Sequence, residues 1–278
     1  MNRSINIRIL GVLFTVAIAL VAFPQARALA QDWKIIDDNS KCRDEGRGGH
    51  DYVCETRELI VKAAWQTLII DDQVNGGISV EAWDKDQVQI RATVRAWDKD
   101  KEDARATLRE IEIRMDGGRI SADGPKMKGD KRGWSVDYEL MVPKQSNLTL
   151  DTTNGGISIA GVNGEIEART TNGGIKLSAL SGDVNAHTTN GGLSVELHGR
   201  SWQGKGLDAG TTNGGVSVSV PEDYSAELEA STVNGGIDFG FPVTMQGRID
   251  RRVHATLGEG GPLIRVKTTN GGVKFTRD

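Results

Sequence analysis

The tripeptide Asn-Gly-Gly, each time followed by an aliphatic residue, occurs seven times in this chain and constrains its fold more than any other feature. The asparagines are Asn75, Asn154, Asn172, Asn190, Asn213, Asn234 and Asn270, at intervals of 79, 18, 18, 23, 21 and 36 residues. Self-similarity at about twenty residues marks a stacked-repeat architecture. The strings TTNGGIS, TTNGGIK and TTNGGLS are nearly identical. The interval of 23 reads as 18 with a five-residue insertion in HGRSWQGKG. The interval of 36 reads either as two rungs, one without the motif, or as one rung with an excursion through TMQGRIDRRVHATLGEGG.

Within each repeat the pattern has period two. Small or apolar residues alternate before the turns: Leu148, Leu150, Thr152; Ile166, Ala168, Thr170; Val184, Ala186, Thr188; Leu228, Ala230, Thr232; and Ile264, Val266, Thr268. A second alternation follows the turns, at Ile157 and Ile159, Ile175 and Leu177, Leu193 and Val195, Val216 and Val218, and Ile237 and Phe239. This is the pattern of strands with one buried face. The Asn-Gly step between them is expected to need positive φ, which these two residues tolerate. Of the 35 glycines, 24 fall in residues 151–278 and 14 belong to the motif, so the glycine excess is a turn requirement, not low complexity.

The fold class expected is all-β: a parallel β-solenoid-like stack of rungs of ~18–23 residues, behind a β-rich N-terminal cap with one short helix. The alternative is an antiparallel hairpin-repeat sandwich, in which each Asn-Gly closes a hairpin. The near-identity of successive repeats favours the solenoid, because a rung sees only its neighbours and like stacks on like. The domains expected are a signal peptide at 1–30, a polar segment with a disulfide at 31–60, a β-rich cap at 61–145 and the repeat solenoid at 146–278. In the cap, the alternating run from Val88 to Val94 is a strand. DKDKEDARATLREIEIRM follows as a helix near 99–110, with Asp98 or Asp100 as N-cap. GWSVDYELMVP is a further strand closed by Pro143.

Arg3 and Arg8, an apolar run from Ile9 to Phe23 and the ending Ala28-Leu29-Ala30 are the three parts of a secretory signal peptide. Fifteen apolar residues are short for a ~20-residue membrane span, and the mature chain has no second candidate. Loss of Arg3, Arg8 and Arg27 with the leader moves the formal charge from −4 to −7. That balance speaks against nucleic acid and against anionic membrane surfaces as partners. Cys42 and Cys54, the only cysteines, bracket a polar loop and fit a disulfide in an oxidising compartment. A metal site of Cys42, His50 and Cys54 would lack a fourth ligand.

An early NGGI turn, a strand, a short charged helix, a GG turn and a V-x-Y-x-L-x-V-P strand lead into LTLDTTNGGISI and its copies. This order resembles the putative-adhesin family of adhesin-like β-strand-repeat domains, a bacterial domain-of-unknown-function family of envelope proteins. The resemblance covers roughly residues 60–278. It implies a secreted or cell-envelope protein with a solenoid-like β fold, and it carries no catalytic residues over.

The residues name no chemistry either. G-x-S-x-G, H-E-x-x-H, P-loop and C-x-x-C patterns are missing. His50, His187, His198 and His254 are scattered, and His187 occupies a rung position held by Arg169 one repeat earlier. Asp84, Asp86, Asp98, Asp100 and Glu102 lack the spacing of an EF-hand. Glu165 and Glu167 flank inward Ile166 and face out. Thr153, Thr171 and Thr189 form an outward row suited to water or carbohydrate. The expectation is a non-enzymatic envelope interaction or scaffold module, exported to the periplasm or beyond and without cofactor or metal. Its partner would be an envelope protein or a glycan. The alternative is a polysaccharide-binding or polysaccharide-active β-helix protein.

Overall fold

Each repeat makes one rung of two short strands joined at Asn-Gly-Gly. In the computed structural model, which describes residues 33–36, 51–126, 132–245 and 251–278, the strand Asn163–Asn172 leads through Gly173-Gly174 into Ile175–Ser178. The next rung is Ser181–Asn190 with Leu193–Glu196. Residues 1–30 and Cys42 lie outside the described residues.

First strands stack on first strands in parallel, as Ile166 on Val184, Ala168 on Ala186 and Thr170 on Thr188. Second strands do the same, as Ile175 on Leu193 and Leu177 on Val195. The result is two eleven-stranded sheets, parallel through the repeats. The solenoid reading therefore holds. The hairpin-repeat alternative fails, because every Asn-Gly-Gly strand pairs in parallel with its equivalent in the next rung. The inward residues of both sheets form one core. Ile159, Ala168, Ala186, Val218 and Val266 are fully buried.

The stacking order is not the chain order. From the cap outward the rungs follow Asn75, Asn154, Asn172, Asn190, Asn213, Asn270 and Asn234. The C-terminal rung, Leu263–Asn270 with Val273–Arg277, slots between the Asn213 and Asn234 rungs. Of the two readings of the 36-residue interval, the excursion through TMQGRIDRRVHATLGEGG holds and the extra rung without the motif does not. The intervening chain forms the antiparallel strands Thr244–Met245 and Arg252–Leu257, which edge the Asn234 rung on one sheet. The reason lies in apolar length. Val273–Arg277 carries Phe275, fully buried between Val218 and Phe239, and its ring stacks on Phe239 at 4.6 Å. The three-residue strand Ile237–Phe239 is left as the outer edge.

The 79-residue interval and the strand before it hold the cap. Asp51–Lys62, Gln87–Asp98 and Gly133–Pro143 pair antiparallel and join the stack where Gly133–Pro143 runs parallel to Ile78–Trp83. The helix spans Lys101–Glu110, and Asp100 caps it by accepting from the Glu102 and Asp103 N–H groups, both at 3.0 Å. Its buried face, Ala104, Thr107 and Leu108, packs on the cap strands. The insertion after the Asn190 rung buries Trp202, whose indole N–H donates to the Gly182 carbonyl at 3.0 Å.

Candidate functional site

The seven asparagines end their strands exposed and form one continuous ladder along the stack. Each side-chain amide donates to the carbonyl oxygen of its neighbour: Asn154 to Asn75, Asn172 to Asn154, Asn190 to Asn172, Asn213 to Asn190, Asn270 to Asn213 and Asn234 to Asn270, at 2.5–2.9 Å. Each interior amide keeps one N–H and one lone pair for solvent or ligand.

The glycine after each asparagine is required chiefly for a reason other than the expected positive φ, which only Gly76 at 151° and Gly271 at 159° adopt among the seven. Ala179 is the one non-glycine at positive φ among the described residues, so the asparagines do not use that region. The first glycines instead stack backbone on backbone. A Cβ on Gly173 would sit 2.0 Å from the Gly155 carbonyl oxygen, and one on Gly191 2.0 Å from that of Gly173. The buried threonine two residues before each asparagine except Asn75 completes this corner. Thr170 Oγ1 donates to the Gly155 carbonyl at 2.8 Å and Thr188 Oγ1 to that of Gly173 at 2.7 Å. The same bond recurs at Thr152, Thr211, Thr232 and Thr268.

The second glycines, Gly77, Gly156, Gly174, Gly192, Gly215, Gly272 and Gly236, floor a trough of about 1230 Å³ on the outside of the stack. Seven rungs at ~4.8 Å make it roughly 30 Å long. Beside the floor runs an in-register rail of outward side chains: Ser79, Ser158, Lys176, Ser194, Ser217, Lys274 and Asp238. At the cap end Asp137 accepts from the Gly77 N–H at 2.7 Å and pairs with Arg95. That carboxylate is thereby tied to the backbone. Glu139, beside Ser79, is a second acid at that end, and Asp238 stands at the opposite end, so no acids face each other across the middle of the trough. This trough was not read from the sequence. The signal was there in the residue after each NGG-aliphatic unit, which is Ser at four of seven repeats.

On the other sheet, Asp151, Arg169, His187, Gly210, Lys267 and Ser231 form one outward row. With the outward threonines Thr171, Thr189, Thr212 and Thr269 they line a groove of about 560 Å³. His187 faces out, yet it is half-buried because Gly210 leaves a notch. A Cβ there would meet the His187 Nδ1 and the Lys267 Cγ at 2.9 Å. Burial, with Lys267 second, holds the His187 pKa below its ordinary value. Burial and the neighbouring Asp71 push the Asp151 carboxyl up. The cations are already committed, Arg169 to Glu167 and Lys267 to Asp208 at 3.1 Å.

Cys54 lies on the strand Asp51–Lys62, and its expected disulfide partner Cys42 is outside the described residues. Among the described residues, no group of three or more His, Cys, Asp or Glu is placed to hold a metal ion. No helix there is long and apolar enough to cross a membrane.

Residues 53–276 match the family model described as Toastrack DUF4097. Solved structures similar to the chain include a putative cell adhesion protein from Clostridium sporogenes, 10% identical, covering 80% of this chain and 100% of that one with a TM-score of 0.42. A putative adhesin from Bacteroides fragilis is 12% identical, covering 81% and 97%, with a TM-score of 0.37. A putative lipid binding protein from Parabacteroides distasonis is 13% identical, covering 80% and 96%, with a TM-score of 0.32. No curated protein matches the chain.

Proposed function

We propose that this chain, which belongs to the Toastrack DUF4097 family, is a non-enzymatic interaction module of the bacterial cell envelope that holds an extended glycan along its glycine-floored trough. The observation that carries this reading is the repetition of one surface unit along the stack: a bare glycine floor on seven successive rungs, and beside it a rail that bears a hydroxyl or amine on six of them and the Asp238 carboxylate on the last. A polymer with its own regular spacing can meet the same donors and acceptors again and again. Many weak contacts then add into useful affinity, as multivalent binding does. The floor admits close approach because it has no side chains, and the rail supplies hydrogen bonds without fixed charge over most of its length. The leader and the cysteine pair support export into an oxidising compartment, where Cys42 and Cys54 would be joined. Intact-mass measurement with and without reductant tests that bond.

Soluble envelope polysaccharides titrated against the purified protein test the proposal. Saturable binding is expected. The double variant Gly192→Ala, Gly215→Ala should weaken it severalfold while leaving the melting temperature near wild type. The two added methyls meet only ordinary contacts, at 3.7 and 3.5 Å, and intrude on the floor. Turnover of a polysaccharide without saturable binding would overturn the non-enzymatic reading.

A further inference from the structure

Asn-Gly is the sequence most exposed to spontaneous deamidation. The glycine nitrogen attacks the asparagine Cγ, and the Cγ–Nδ2 bond breaks to release ammonia. Water then opens the resulting succinimide to aspartate or isoaspartate. The nucleophile is the backbone nitrogen after loss of its proton, so a glycine N–H held in a hydrogen bond is protected in the way that slows amide exchange. By sequence alone, all seven repeat turns are equally at risk, since every asparagine is exposed.

The stack makes them unequal. The Gly76 N–H donates to the Asn154 carbonyl, Gly155 to Asn172, Gly173 to Asn190, Gly191 to Asn213, Gly214 to Asn270 and Gly271 to Asn234, each at 3.0 Å. Every one of these bonds comes from the next rung outward. The Asn234 rung is the last of the repeats. On its first-strand sheet the flanking strand Arg252–Leu257 reaches as far as Thr232, whose N–H donates to the Arg251 carbonyl at 2.8 Å, and the Gly235 N–H has no acceptor among the described residues. An eighth pair, Asn163–Gly164, lies inside the parallel ladder of its strand. The Asn234 side chain donates to Asn270, and no asparagine of a further repeat stands beyond it among the described residues to bond its own oxygen.

We infer that Asn234 is the Asn-Gly pair that deamidates first and that the stack shields the other Asn-Gly pairs. The product places a carboxylate at the open end of the asparagine ladder. Where isoaspartate forms, it lengthens the backbone by one atom at the corner that seats Gly235 against Gly271. The modification needs only water and base, so it accumulates with the age of the molecule.

Ageing the full chain at mildly alkaline pH and mapping its peptides by mass spectrometry tests this. The mass gain of ammonia exchanged for water should appear at Asn234 about tenfold faster than at any other Asn-Gly, the factor expected from one net hydrogen bond. In hydrogen exchange, the Gly235 amide should be the fastest of the seven glycines that directly follow the motif asparagines. The variant Asn234→Gln should remove the fast phase and leave the rest unchanged. Similar rates at several turns, or a fast phase that survives in Asn234→Gln, would overturn the inference.

Discussion

At the scale of single residues, the two glycines of the motif have opposite jobs. The first is excluded from carrying a side chain by a backbone carbonyl 2.0 Å from the missing Cβ, while Gly192, a second glycine, has 3.7 Å of room. Gly173→Ala should therefore cost roughly 3 kcal/mol or more, because a backbone contact cannot move aside. Gly192→Ala should be near neutral, and thermal melts of the two variants make the comparison. His187 gives a test by pH. Its pKa is lowered in the folded state, chiefly by burial, so the unfolded chain binds the proton more readily. Stability should thus be highest above the ordinary histidine pKa of ~6.5 and fall as pH drops below it, levelling once the folded form also protonates. His187→Asn should flatten that part of the pH profile of the melting temperature. The sequence placed His187 outward on its rung but could not show its burial. That burial comes from a missing side chain at Gly210, twenty-three residues later in the chain.

At the scale of strands, alternation was readable because it reports burial directly. All fifteen inward positions read before the turns are buried, from Leu148 through Thr268. The threonine closing each alternation is more than a strand-forming residue. Its hydroxyl is the hydrogen-bond partner of a glycine carbonyl that faces the core corner. Thr188→Val keeps the shape, removes the donor and should cost about 1–3 kcal/mol in chemical denaturation. Thr189→Val, on the exposed side, should cost little. What the repeats could not disclose was which rung neighbours which. Every repeat presents the same register, so the motif fits any other copy equally well. The choice falls to lengths and side chains outside the motif, chiefly Phe275 and Phe239. The trough escaped the sequence reading for a related reason: its floor is made of residues with no side chain to announce a site.

At the scale of the whole molecule, interchangeable rungs and a non-sequential end make opposite predictions. Deleting residues 173–190 removes one 18-residue rung and rejoins Asn172 to Gly191 in the same register. That chain should still melt cooperatively, at a lower temperature set by one lost pair of interfaces. Deleting residues 263–278 removes sixteen, yet it takes away the layer on which the Asn234 rung rests. That chain should lose the protection of residues 226–257 to limited proteolysis while the cap-side rungs stay resistant.

The interleaved C-terminal rung also decides how the molecule answers a mechanical load. Each of its strands is held by parallel ladders on both flanks, to the Asn213 rung and to the Asn234 rung. A pull on the chain end along the last strand shears both ladders together, where an edge strand would peel away one bond at a time. A module tethered through its tail would bear tension without fraying from that tail.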